Sequence, residues 1–171
     1  MSRVFWITGL SGSGKTTIGR EVYKQIREKK KNVVLLDGDE LRDVFGQDLG
    51  YSEQDRLQCA KRYSRICQLL ASQEIDVVIC TISMFHEVRK WNRENITGYY
   101  EVFIKVPIEI LQKRDQKGLY SGFASGISED IVGLDLQLQL PVNPDIVIHN
   151  TGTVEPKEIA KYILMSVGES C

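Results

Sequence analysis

The chain has 171 residues, with 22 basic against 23 acidic side chains, a net charge of −1 and 42% apolar residues. That length suits one compact domain, residues 1–171, with a sizeable core, and the charge balance excludes a global basic field that would recruit nucleic acid or a membrane surface. No apolar run approaches the roughly 20 residues of a bilayer span, and no signal-peptide pattern precedes the first apolar run. The four cysteines, Cys59, Cys67, Cys80 and Cys171, form no C-x-x-C pair, so a cytoplasmic chain with reduced thiols is expected.

In chain order, the short apolar run Val4–Thr8 reads as a buried strand. It delivers the chain into Gly9-Leu10-Ser11-Gly12-Ser13-Gly14-Lys15-Thr16, a complete G-x-x-x-x-G-K-[ST] loop, with a helix expected from Lys15 to about Lys29. Backbone N–H groups and the helix N-terminus then converge on a polyphosphate. Chance produces this string in under about one chain in a hundred of this length. A second strand, Val33–Asp37, ends in Asp37-Gly38-Asp39. A helix is expected from Ser52 to about Gln73, with Ser52 and Asp55 arranged as an N-cap. A strand at Asp76–Ile82, a helix from His86 to about Asn95 and a strand at Tyr100–Val106 follow. Pro107 and Pro156 suit the first turns of helices reaching about Gln116 and Val167, with a last strand, Asp145–His149, between them. Five strands separated by helices predict an α/β fold, a three-layer P-loop kinase arrangement with a parallel sheet covered on both faces. The irregular, glycine-bearing stretch 117–140 is expected to act as a lid that closes over substrates and excludes water.

Phosphoryl transfer needs charge stabilisation on the moving phosphate, a metal between its oxygens and an oriented acceptor hydroxyl. Lys15 is placed for the β- and γ-phosphates of ATP, and the Thr16 hydroxyl for Mg²⁺. Gly9, Ser11, Gly12, Ser13, Gly14 and Thr17 complete the nucleotide cradle. Asp37 and Asp39 stand at a strand C-terminus, where ligands bind in open α/β sheets, and can serve the metal and the acceptor hydroxyl. Arg42 and Arg56 lie where a guanidinium can hold an acceptor's phosphate bidentately. Arg114 and Lys117 flank the lid and are expected to meet the ATP side as it closes. Lys61 and Arg65 read as a solvated helix face, and His86 and His149 as structural. A GTPase would carry N-K-x-D, which is absent, and a non-catalytic nucleotide-binding module would have no need of both acids.

With the phosphate loop, Leu36-Asp37-Gly38-Asp39, Gly50-Tyr51-Ser52 with Asp55-Arg56, Ile82-Ser83 and Arg114-Asp115-Gln116-Lys117-Gly118-Leu119-Tyr120, the chain resembles the adenylylsulfate kinase family from about residue 4 to residue 148. That resemblance implies Mg²⁺-dependent transfer of the γ-phosphate of ATP to the ribose 3′-hydroxyl of a 5′-activated nucleotide, by a homodimer. It implies that Asp39 orients or deprotonates the hydroxyl and that Asp37 supports the metal's water shell. Arg42 and Arg56 would hold the acceptor's 5′-phosphoryl region, and Tyr51 would stack on its base. Ser83 matches a serine near the transfer site, and Cys59, Ile82, Lys117, Gly118, Leu119 and Ile131 fall among the acceptor positions.

The departures from the family pattern gather at those acceptor positions. Cys59 replaces an asparagine, Lys61 an arginine, Met84 a proline, His86 an arginine, and Ile131 the second aromatic of the base sandwich. A smaller base fits one aromatic wall, and fewer cations fit a less anionic terminal group. The expected acceptor is therefore cytidine 5′-diphosphoramidate, used by a capsule-modifying offshoot of the family, with adenylylsulfate as the alternative.

Overall fold

Five short apolar runs form a five-stranded parallel sheet with the order β2-β3-β1-β4-β5 in the computed structural model, which describes residues 2–115, 118, 121 and 139–168. The strands are β1 (Val4–Thr8), β2 (Val33–Asp37), β3 (Asp76–Thr81), β4 (Tyr99–Lys105) and β5 (Ile146–His149). Among the described residues the helices are α1 (Lys15–Lys29), α2 (Gly38–Val44), α3 (Glu53–Ser72), α4 (His86–Asn95), α5 (Ile108–Arg114) and α6 (Pro156–Ser166).

β1 and β3 are buried along their whole length, as central parallel strands are when helices cover both faces. The period of two divides their side chains between two cores. Phe5, Ile7, Val78, Cys80, Val102 and Ile104 pack with Ile18, Val22 and Ile26 of α1 and Ile159 and Ile163 of α6. Val4, Trp6, Val77, Ile79 and Tyr99 point the other way, onto Cys59, Tyr63 and Cys67 of α3 and Val88 of α4. β1 pairs with β3 on one side and β4 on the other, so its exit is the switch point at which a crevice opens beyond the strand ends.

The expected elements form, with shifts of one or two residues at several ends. Asp55 N donates to Ser52 Oγ at 3.2 Å, capping α3, and Pro156 opens α6. Pro107 is instead the N-cap of α5: its ψ of 141° is not helical, while its carbonyl accepts from the N–H groups of Ile110 and Leu111 at 3.0 and 3.2 Å. The seven-residue α2 was not foreseen: it starts on a glycine and contains two apolar residues, too few for a period to emerge. Its signal was local, since Asp37 followed three residues later by Glu40 has the pattern of a capping box.

Candidate active site

The phosphate loop is shaped from both sides. At its entry, a Cβ on Gly9 would meet Ser13 Oγ at 2.6 Å and the Ile104 carbonyl at 2.7 Å, so only glycine lets the loop press against β4. At its exit, Gly14 holds φ +94°, and a side chain there would meet Asn150 Nδ2 at 2.7 Å. Gly14 is also the N-cap of α1 and supplies no side-chain cap, so the first-turn N–H groups of Lys15, Thr16 and Thr17 remain directed into the cavity.

The outer side of the loop is gripped through its carbonyls. Asn150 Nδ2 donates to Ser13 O at 2.8 Å. Arg114 donates from Nη1 to Gly12 O at 3.2 Å and from Nη2 to Asn150 O at 3.1 Å. In a trans peptide the N–H lies opposite the C=O, so drawing the Ser13 carbonyl outward turns the Gly14 N–H inward. Inside the loop, Lys15 Nζ donates to Leu10 O at 2.8 Å.

The acid pair faces this loop. Asp37 accepts from the Thr16 hydroxyl through Oδ2 at 2.8 Å and from the Asp39 N–H through Oδ1 at 2.9 Å. One carboxylate thus joins the phosphate loop to α2, whose first turn carries Asp39. Beneath them, the Cys80 thiol donates to Lys15 O at 3.4 Å, and burial, helped by the Asp37 charge, pushes its pKa up to about 12.

The opposite wall is made of side chains. Arg42 Nη1 donates to Gly50 O at 2.8 Å and Leu49 O at 3.2 Å, and its guanidinium lies 4.5 Å from the Tyr51 ring centre. Arg56 Nε donates to Tyr51 O at 2.7 Å, with its guanidinium 5.3 Å from the same ring. Tyr51 is 61% exposed, so the ring projects from a loop that the two arginines fasten. Where β3 ends, Ser83 takes φ +32° and pairs with Thr81 across 2.7 Å, oxygen to oxygen. The Thr8 hydroxyl donates to Ile82 O, tying the ends of β1 and β3 together.

These surfaces enclose a cavity of about 190 Å³. Of the sequence-derived site residues, Ser11, Gly12, Gly14, Lys15, Thr16, Thr17, Asp37, Asp39, Arg42, Tyr51, Arg56, Cys59, Ile82 and Ser83 line it. Gly9, the fully buried Ser13, and Arg114 shape the loop without lining the cavity, and Gly118 lies apart from it. Lys117, Leu119, Ile131 and most of the expected lid, 117–140, fall outside the described residues.

Among the contributors that sequence reasoning missed, two stand out. Asn150, directly after β5, showed no motif. Tyr63, one turn beyond Cys59 on α3, was not singled out, yet it lines the cavity and donates its hydroxyl to Gly38 O at 2.8 Å. Its helical spacing from Arg56 and Cys59 was the available signal. Burial, reinforced by Cys59, raises the Tyr63 phenol pKa above its ordinary value.

A phosphate loop opening a helix at the carboxyl edge of a parallel sheet, faced by a strand-end carboxylate pair, is the arrangement of the P-loop kinases. Within that class the chain belongs to the adenylylsulfate kinase family, whose sequence profile, Adenylylsulphate kinase, matches residues 1–149. It is 40% identical over 148 residues to the cytidine diphosphoramidate kinase of Campylobacter jejuni, covering 86% of each chain. It is 37% identical over 163 residues to the adenylyl-sulfate kinase of Pseudomonas aeruginosa, covering 94% of this chain and 83% of that one. The Mycobacterium tuberculosis APS kinase CysC, solved in complex with AMPPNP and APS, superposes with a TM-score of 0.90 at 33% identity over 98% of both chains. The protein is a nucleotide kinase of this family, and no described helix is long and apolar enough to cross a membrane.

Proposed function

We propose that this kinase transfers the γ-phosphate of ATP to the ribose 3′-hydroxyl of a nucleotide activated at its 5′ end, and that the acceptor is cytidine 5′-diphosphoramidate. The acceptor oxygen forms a bond to the γ-phosphorus while the bond from that phosphorus to the β–γ bridging oxygen breaks, releasing ADP. Asp39 orients the hydroxyl and takes its proton, which passes to solvent. Lys15 and the N–H groups at the start of α1 stabilise charge on the phosphates. Arg42 and Arg56 hold the acceptor's phosphoryl groups, and Tyr51 supplies a wall for its base. The Thr16 hydroxyl oxygen and the Asp37 carboxylate, 2.8 Å apart, suit a hard cation. Bound there, Mg²⁺ would supply charge neutralisation on the phosphate oxygens. Residues 1–171 would work as one kinase domain, with the stretch 117–140 as its lid.

One observation carries the choice of acceptor. The ATP side of the cavity keeps its whole motif, while the other side is lined by Cys59, Met84 and Phe85 and so departs from the family pattern at two positions. The 40% identity to the Campylobacter jejuni kinase points the same way. Adenylylsulfate is the second reading, favoured by the 37% identity to the Pseudomonas aeruginosa enzyme. ADP release with Mg-ATP and a panel of cytidine diphosphoramidate, adenylylsulfate, CDP and buffer tests the choice. Strong turnover with the cytidine compound alone is expected. Strong turnover with adenylylsulfate would replace the first reading by the second, and turnover with neither would remove both.

A further inference from the structure

Residue Tyr63 grips both ends of the helix that carries the acceptor-facing groups. α2 spans seven residues, of which only Gly38 and Leu41 are buried. A helix this short has little stability of its own, because nucleation is costly and few hydrogen bonds follow it. It nonetheless carries Asp39 in its first turn and Arg42 in its last. Its entry is fixed by the Asp37 cap and by the Tyr63 hydroxyl, which donates to Gly38 O in a buried contact of 2.8 Å. At its exit Phe45, the C-cap, stacks on the Tyr63 ring with centroids 6.2 Å apart and planes 16° from parallel. Tyr63 itself is 3% exposed and anchored on the twenty-residue α3. A single side chain of a long, well-packed helix therefore spans α2 from end to end.

We propose that Tyr63 is a positioning residue for phosphoryl transfer, acting on the acceptor side through α2 and leaving the ATP side untouched. The phosphate loop is braced by Asn150 and Arg114, neither of which touches α2 or Tyr63 through a described hydrogen bond; the described link between the loop and α2 runs through Asp37, while the Tyr63 hydroxyl donates to Gly38 O instead. The proposal rests on the reading that Asp39 and Arg42 serve the acceptor.

Tyr63→Phe keeps the ring and removes the hydroxyl. Losing one buried hydrogen bond should lower kcat/KM for the acceptor about five- to tenfold, while the affinity for Mg-AMPPNP stays within about twofold of wild type. Hydrogen exchange should quicken over residues 38–45 and stay unchanged over the α1 core. Tyr63→Leu, which also removes the stack, should enlarge both effects. Unchanged exchange across α2 in Tyr63→Phe overturns the proposal, as does unchanged acceptor kcat/KM. A loss of nucleotide affinity in step with acceptor use overturns it too, because that reports general loosening. If no acceptor in the panel is phosphorylated, the functional reading fails, and the exchange pattern still decides whether Tyr63 holds α2.

Discussion

On the phosphate side of the cavity main-chain amides stand beside Lys15 and Thr16, and the loop is held in place because Asn150 and Arg114 pull the Ser13 and Gly12 carbonyls the other way. On the side proposed for the acceptor the lining is made of side chains, namely Asp39, Arg42, Tyr51, Arg56 and Cys59, carried on a short helix, a loop and the start of α3. A site made from backbone tolerates few sequences, because each glycine is fixed by a close approach or a positive φ. A site made from side chains can be respecified one substitution at a time while the fold stays the same. The two halves therefore have different freedom to change, and the difference can be broken or sharpened experimentally.

Lys15→Ala should have the largest effect, lowering turnover by about a hundredfold or more through lost charge stabilisation; turnover near wild type would remove the loop from the chemistry. Next, Asp39→Asn should cut kcat by about a hundredfold with Mg-AMPPNP affinity nearly unchanged. Equal losses in both would make Asp39 part of the ATP side and erase the division. Asn150→Ala should show the converse, raising KM for ATP about tenfold with little change in KM for the acceptor, since only the inward aim of the loop amides is lost. A titration of nucleotide and acceptor in the same variant reads that contrast.

The smallest effect belongs to the thiol beneath both halves. Cys80 is raised by burial from 9.0 to about 12. Above about pH 9 the unfolded thiol gives up its proton while the folded one keeps it, so stability should fall as pH rises from 9 towards 12. Urea midpoints in Cys80→Ala should decline less steeply over that window than in wild type, and identical slopes would mean that this thiol is not the group responsible.

The same division explains what the sequence disclosed. Glycines and a lysine at fixed spacing announce the phosphate loop because backbone geometry leaves no alternative to them. Apolar runs located the strands, and two of them, β1 and β2, agree residue for residue with expectation. Asn150 escaped notice because its contribution is one amide donor reaching 137 positions back in the chain, which no local pattern records. α2 escaped because tertiary contacts at its two ends, not periodicity, make it a helix. Arg42 and Arg56 were legible as cations near the crevice, but their shared approach to the Tyr51 ring depends on how the loop between α2 and α3 turns back.

The strand order also sets a timetable for synthesis. β1 is made before the other four strands of this sheet, yet its neighbours are β3 and β4: Val4 lies opposite Val77 on one side and Tyr99 on the other. At about 5–20 residues per second, roughly 5–20 s of translation separate the emergence of β1 from that of β4. Through that interval Val4, Phe5, Trp6 and Ile7, all fully buried in the finished sheet, have no partner strand on the β4 side. The segment that leads into the phosphate loop thus waits with its apolar side chains unpaired on that side until β4 has been made.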